Sequence, residues 1–90
     1  MEKQEYVIKI KLIGNLQPCH AGHQPGDEWT FDYKTVPDIC SLAWNSIYPF
    51  VLASRYGAVF PWQDTPDVIQ ASCPDPEVNN IFEIRRVPRI

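Results

Sequence analysis

The chain has 90 residues, room for one domain with a thin core. With 44% hydrophobic and 21% charged residues it is neither disordered nor collagen-like. Eight Lys and Arg against eleven Asp and Glu give a net charge of −3, the opposite of what a general nucleic-acid binder needs.

No run approaches the ~18 consecutive apolar residues of a membrane span. Met1-Glu2-Lys3-Gln4-Glu5 opens without the apolar stretch of a secretion signal. Neither nucleic acid nor membrane is therefore expected as a partner, and residues 1–90 are read as a single cytoplasmic domain.

Tyr6, Ile8, Ile10 and Leu12 alternate with Lys9 and Lys11, which predicts a half-buried strand over Tyr6 to Ile13. Gly14 ends it, and Asn15 to Gly26 reads as a loop in which Pro25-Gly26 suits the centre of a type II turn. A second strand follows, with Trp29, Phe31 and Tyr33 expected on one face and Glu28, Thr30 and Asp32 on the other.

Thr35-Val36-Pro37-Asp38 has the hydroxyl, proline and acid of a helix start. Ile39, Ala43, Ile47 and Val51 then recur at helical spacing. Pro49 inside that run predicts either a kinked helix or two short ones, and Gly57 a stop. Ala58 to Pro66 is irregular. A third strand is expected from about Asp67 to Cys73, with Ile69, Ala71 and Cys73 on one face. Pro74-Asp75-Pro76 must turn. The last strand, Ile81 to Val87, groups Phe82 with Ile84.

The order β-β-α-β-β predicts an α+β domain. Short links between the first two and last two strands suggest antiparallel pairs, with helix covering the sheet's apolar face. The pattern leaves open whether the sheet stays open or curls into a partial barrel.

Three cysteines, Cys19, Cys40 and Cys73, form no Cys-x-x-Cys pair. An odd number without a secretion signal argues against a disulfide framework and for a reducing compartment. The densest chemistry is Cys19-His20-Ala21-Gly22-His23. Cys19, His23, Cys40 and Cys73 could surround a tetrahedral zinc or iron, with His20 as a substitute, and a thin core gains much from a metal. The plainer reading makes Cys40 and Cys73 small buried hydrophobes and leaves the histidines in solvent. Cys40, expected in the first helical turn, also offers a thiolate stabilised by the helix dipole, with His23 as base.

Trp44, Tyr48, Phe60 and Trp62 could line a ligand or partner surface, or simply form core. Arg85, Arg86 and Arg89 read as a solvated edge strand, and Asp64, Asp67, Asp75 and Glu77 as turn formers. The combined expectation is a small soluble protein, not a catalyst on its own, with a Cys/His metal or thiol site. The alternatives are a ligand-binding or interaction module using the aromatic surface, and a thiol-dependent enzyme or redox sensor.

Several pieces stand in a particular order: Pro18-Cys19-His20, His23 to Trp29 around Gly26-Asp27, Ile39-Cys40, Ala43-Trp44, Ile47-Tyr48-Pro49, Cys73-Pro74-Asp75 and Phe82 to Arg86. This order resembles an uncharacterised TIGR-type family of short prokaryotic conserved hypothetical proteins with three spaced cysteines, over Tyr6 to Ile90. The resemblance implies a prokaryotic source, a stand-alone domain and a shared role for Cys19, Cys40 and Cys73, with Gly26 and Asp27 also marked. It implies no activity.

Overall fold

A computed structural model describes residues 5–88; Met1 to Gln4, part of the segment read for a secretion signal, and Arg89 lie outside them. The elements are β1 (Tyr6–Gly14), β2 (Glu28–Phe31), α1 (Ser41–Arg55), β3 (Val68–Ser72) and β4 (Ile81–Pro88). They form one four-stranded antiparallel sheet in the order β2-β1-β4-β3, with α1 across one face. β2 and β3 are its two edges, so the sheet is open rather than a barrel. The expected α+β fold and its two antiparallel pairs are present.

The alternation read in β1 determines which face is buried. Ile8, Ile10 and Leu12 are opposite Phe31 and Trp29 on one side and Arg86, Ile84 and Phe82 on the other. Ile69 and Ala71 continue that face on β3. From α1, Ala43, Ile47 and Val51, spaced four apart, complete a core that excludes water. Each such large aliphatic or aromatic side chain contributes roughly 1.5–3 kcal/mol on burial.

The helix begins five residues later than its sequence signals suggest, with Cys40 rather than Thr35 at its N-cap. Asp38 has φ 66°, a left-handed conformation that interrupts a right-handed helix before it starts. Pro37 and Asp38 form a turn, and Cys40 is the N-cap, just outside the helix, with φ −54° and ψ 132°. Its carbonyl accepts the first helical bond from the Trp44 amide at 2.8 Å.

Of the two alternatives at Pro49, one uninterrupted helix is found. Pro49 and Asn45 both lie on the exposed side, so the carbonyl left without its usual donor faces water. The stop at Gly57 is a Schellman ending. Gly57 has φ 92°, and the Gly57 and Ala58 amides donate to Ser54 O (3.1 Å) and Ala53 O (3.0 Å).

Two expectations are corrected here. Tyr33 does not share the core face: β2 ends at Phe31, Tyr33 has φ 75°, and its ring is 73% exposed, with the Arg55 guanidinium 5.7 Å away. Arg86 is not on a solvated edge. It lies on the core face of a central strand and is only 6% exposed. Its guanidinium donates to Asp67 and to the Ser54 and Ala58 carbonyls at the end of α1, and packs over Tyr6. Positive charge at a helix C-terminus is favourable, which the alternating pattern of β4 could not reveal. Arg55, 2% exposed, is held in the same manner by Glu5, Asp32 and the Tyr6 carbonyl.

Candidate functional site

At the end of the sheet where β1 finishes and β4 begins, three segments distant in sequence meet. The first is the loop after β1. Its Cys19-His20-Ala21-Gly22 turn is closed by the Gly22 amide donating to Cys19 O at 3.0 Å, with Gly22 at φ 85°. The second is the turn between β3 and β4. There Asp75 Oδ1 accepts the Glu77 and Val78 amides at 2.9 and 3.2 Å, an Asx-type turn that fixes the chain before Asn80. The third is the N-cap of α1.

Hydrogen bonds tie the three segments together. The Leu16 amide donates to Val78 O at 2.8 Å and the Asn15 side-chain amide to Asn80 Oδ1 at 3.0 Å. The Cys40 amide donates to His23 Nε2 at 2.9 Å. His23 thereby does what the glutamate of a capping box does, accepting the N-cap amide. Its ring is also edge-on to Trp29 at 5.0 Å.

The outcome is one small cavity of about 90 Å³ that Cys19, Cys40 and Cys73 all line, together with Leu42, Val78 and Asn80. These three thiols, distant in sequence, thus border one cavity. His20 lines the same cavity. His23 lies behind Cys40, its Nε2 lone pair committed to the Cys40 amide. Among the described residues, no group of three or more His, Cys, Asp or Glu is arranged to hold a metal ion. On its other side Cys19 borders an open cleft of about 340 Å³ between Asn15 and Pro25.

The three sulfurs have different surroundings. Partial burial pushes the Cys19 thiol up. Against it, hydrogen bonding from the Asn80 side chain and from the main chain at His23, Ala21 and Gly22 favours the thiolate, and the net direction is down. Amide donors converging on one atom favour its anion. Cys73 Sγ accepts the Asn80 main-chain amide at 3.2 Å and lies 3.9 Å from Asp75 O. Asn80, 2% exposed, is thus held by Asn15 at its side chain and by Cys73 at its backbone, on the wall of the cavity that Cys19 also lines. Cys40 sits at the helix start, half-buried.

Sequence reasoning missed Asn80 and Asn15. Asparagine beside a strand is ordinarily a turn residue; the available signal was an Asn-Asn pair directly before an alternating strand.

The four aromatic residues proposed as a surface do not form one patch. Trp44 and Tyr48 meet as tilted rings at 5.1 Å and pack on Phe31, toward β2. Phe60 and Trp62 stack at 5.0 Å, and Phe60 meets Phe50, on the β3 side of α1. Helical geometry explains the split, because positions 44 and 48 lie on the opposite flank from Ser46, which bonds to Ser72 O of β3, and from Phe50. Trp62 remains 65% exposed.

Among the described residues no helix is long and apolar enough to cross a membrane. No family model, no curated protein and no solved structure matches this chain.

Proposed function

We propose that the protein is a small thiol-redox module whose working sulfur is Cys19, with the other two cysteines of the cavity close by. The observation that supports this most is the cavity shared by Cys19, Cys40 and Cys73, in which hydrogen bonding from buried Asn80 and from the turn's main chain holds the Cys19 thiol below its usual range. A thiolate is the nucleophilic and oxidisable form of cysteine, and sulfur that is both stabilised as an anion and partly exposed is reactive near neutral pH. Cys40, the first candidate from the sequence, gives way to Cys19, because Cys40 is the N-cap residue and no side-chain hydrogen bond caps the helix there. Three free thiols suit a reducing compartment such as the cytoplasm.

The metal reading receives less support. His23, its proposed imidazole ligand, has Nε2 engaged by the Cys40 amide, and a tetrahedral site needs four donors converging on one point.

The test is site-resolved alkylation. The reduced protein is treated with limiting iodoacetamide near neutral pH and the cysteines are quantified by peptide mapping. Cys19 is expected to be labelled first and faster than free cysteine. Labelling of Cys19 at or below the rate of free cysteine overturns the proposal. So does retention of one zinc or iron per chain through reducing purification.

A further inference from the structure

We infer that Cys73 is the resolving thiol of Cys19, and that a small hydroperoxide is the oxidant that drives the pair to a disulfide. This rests on the reading of Cys19 as the working sulfur and adds its partner and its substrate class. The geometry behind it is the bridge made by Asn80. Asn80, which is buried, lines the same cavity as Cys19 and Cys73, and its main-chain amide donates to Cys73 Sγ at 3.2 Å, so the two sulfurs meet around one fixed residue.

Cys40 is the competing partner and is less suited. Its amide is held by His23 and its carbonyl carries the first bond of α1, so drawing it toward Cys19 would unseat the helix start. Cys73 follows the last residue of an edge strand and precedes a proline. The loop that carries Cys19 has no strand pairing from Asn15 to Pro25. A small adjustment there does not break the sheet.

The size and lining of the cavity argue for the oxidant. About 90 Å³ walled by Leu42, Ala43 and Val78 is smaller than the ~150 Å³ apolar cavity that admits benzene. An oxidant of a few heavy atoms fits that volume.

In the first step the Cys19 thiolate attacks the near oxygen of the hydroperoxide. An S–O bond forms, the O–O bond breaks, and the alkoxide or hydroxide leaves and takes a proton from water. Sulfur is oxidised to sulfenic acid and the peroxide reduced to alcohol or water. In the second step the Cys73 sulfur attacks the Cys19 sulfur. An S–S bond forms, the S–O bond breaks, and water departs with the Cys73 proton.

The experiment treats the full reduced chain with substoichiometric hydrogen peroxide and maps the products by non-reducing peptide mass spectrometry. Cys40→Ser and Cys73→Ser run in parallel, with dimedone as the sulfenic-acid trap. The expected result is a Cys19–Cys73 cross-link in the wild type and in Cys40→Ser. Cys73→Ser should give no cross-link and dimedone on Cys19 instead. A Cys19–Cys40 bond, a bond between two chains, or a dimedone adduct on Cys19 without any wild-type disulfide overturns the inference and leaves the reading of Cys19 intact. Slow alkylation of Cys19 together with no oxidation of it overturns both. The wild-type map decides the pairing even if a variant fails to fold.

Discussion

Replacing Asn80 with alanine removes the side-chain donor to Cys19 while leaving the backbone bonds between residues 73 and 80 in place. Two side-chain interactions disappear, the one from Asn15 and the one to the sulfur. A net hydrogen bond between neutral groups is worth about 1 kcal/mol, and one to a charged group about 1.5–3 kcal/mol. The Cys19 sulfur is partly exposed, so screening puts its bond at the low end of that range. At roughly 1.4 kcal/mol per pKa unit, the Cys19 midpoint should rise by about one unit. Near neutral pH this leaves about a tenth of the thiolate and a tenth of the alkylation rate. The assay is the rate of iodoacetamide labelling of Cys19 followed from mildly acid to alkaline pH. The alanine variant should show a displaced midpoint and the same alkaline plateau. Asn80→Asp should move the midpoint further, because a carboxylate replaces the donor and repels the anion. An unmoved midpoint in both variants would show that Asn80 does not hold the thiolate, and the reasoning would fail at that point.

Three other outcomes are expected. Cys19 ionises more readily folded than unfolded, so its stabilisation is fully present above the unfolded value of about 8.5 and is lost as pH falls through the lower folded value. Cys19→Ser should flatten that part of the stability-versus-pH curve in urea titrations, and a slope equal to that of the wild type would refute it. Arg55→Ala leaves Glu5 and Asp32 without their buried cation and strips packing from Phe31 and Tyr56. Because both carboxylates are partly exposed, the loss should be about 2–3 kcal/mol by denaturant unfolding rather than the 3–5 of a fully buried pair; a loss under ~1 kcal/mol would contradict the assigned role. His23→Ala removes the acceptor for the Cys40 amide and should lower stability by about 1 kcal/mol, while thermal unfolding identical to the wild type would deny His23 its capping part.

The parts of the fold legible in the sequence are those decided by local period. The alternation in β1 and β4 and the four-residue spacing of Ala43, Ile47 and Val51 each identify a buried face without knowledge of its partner. The parts that were not legible depend on partners far along the chain. Thr35 to Asp38 carries good helix-start residues, yet Asp38 turns left-handed and the helix waits until Ser41. Arg86 shares the parity of Phe82 and Ile84, yet its charge reads as solvated, and only the arrival of the α1 C-terminus makes its burial favourable. The convergence of Cys19, Cys40 and Cys73 was expected from their chemistry. The lowering of Cys19 in particular was not, because its causes are main-chain groups and an asparagine seen in sequence only as a turn residue.

The pairing of β1 with β4 has a consequence for when the site exists. Leu12 lies opposite Phe82, so the middle of the sheet joins stretches from opposite ends of the described chain. Such contacts form late, after the entropy of closing a long loop has been overcome. The turn bearing Cys19 follows β1 and the residue that holds it, Asn80, immediately precedes β4. On the proposed reading, the part of the Cys19 setting that comes from Asn80 is therefore absent from a nascent or partly unfolded chain and arrives only with the final strand.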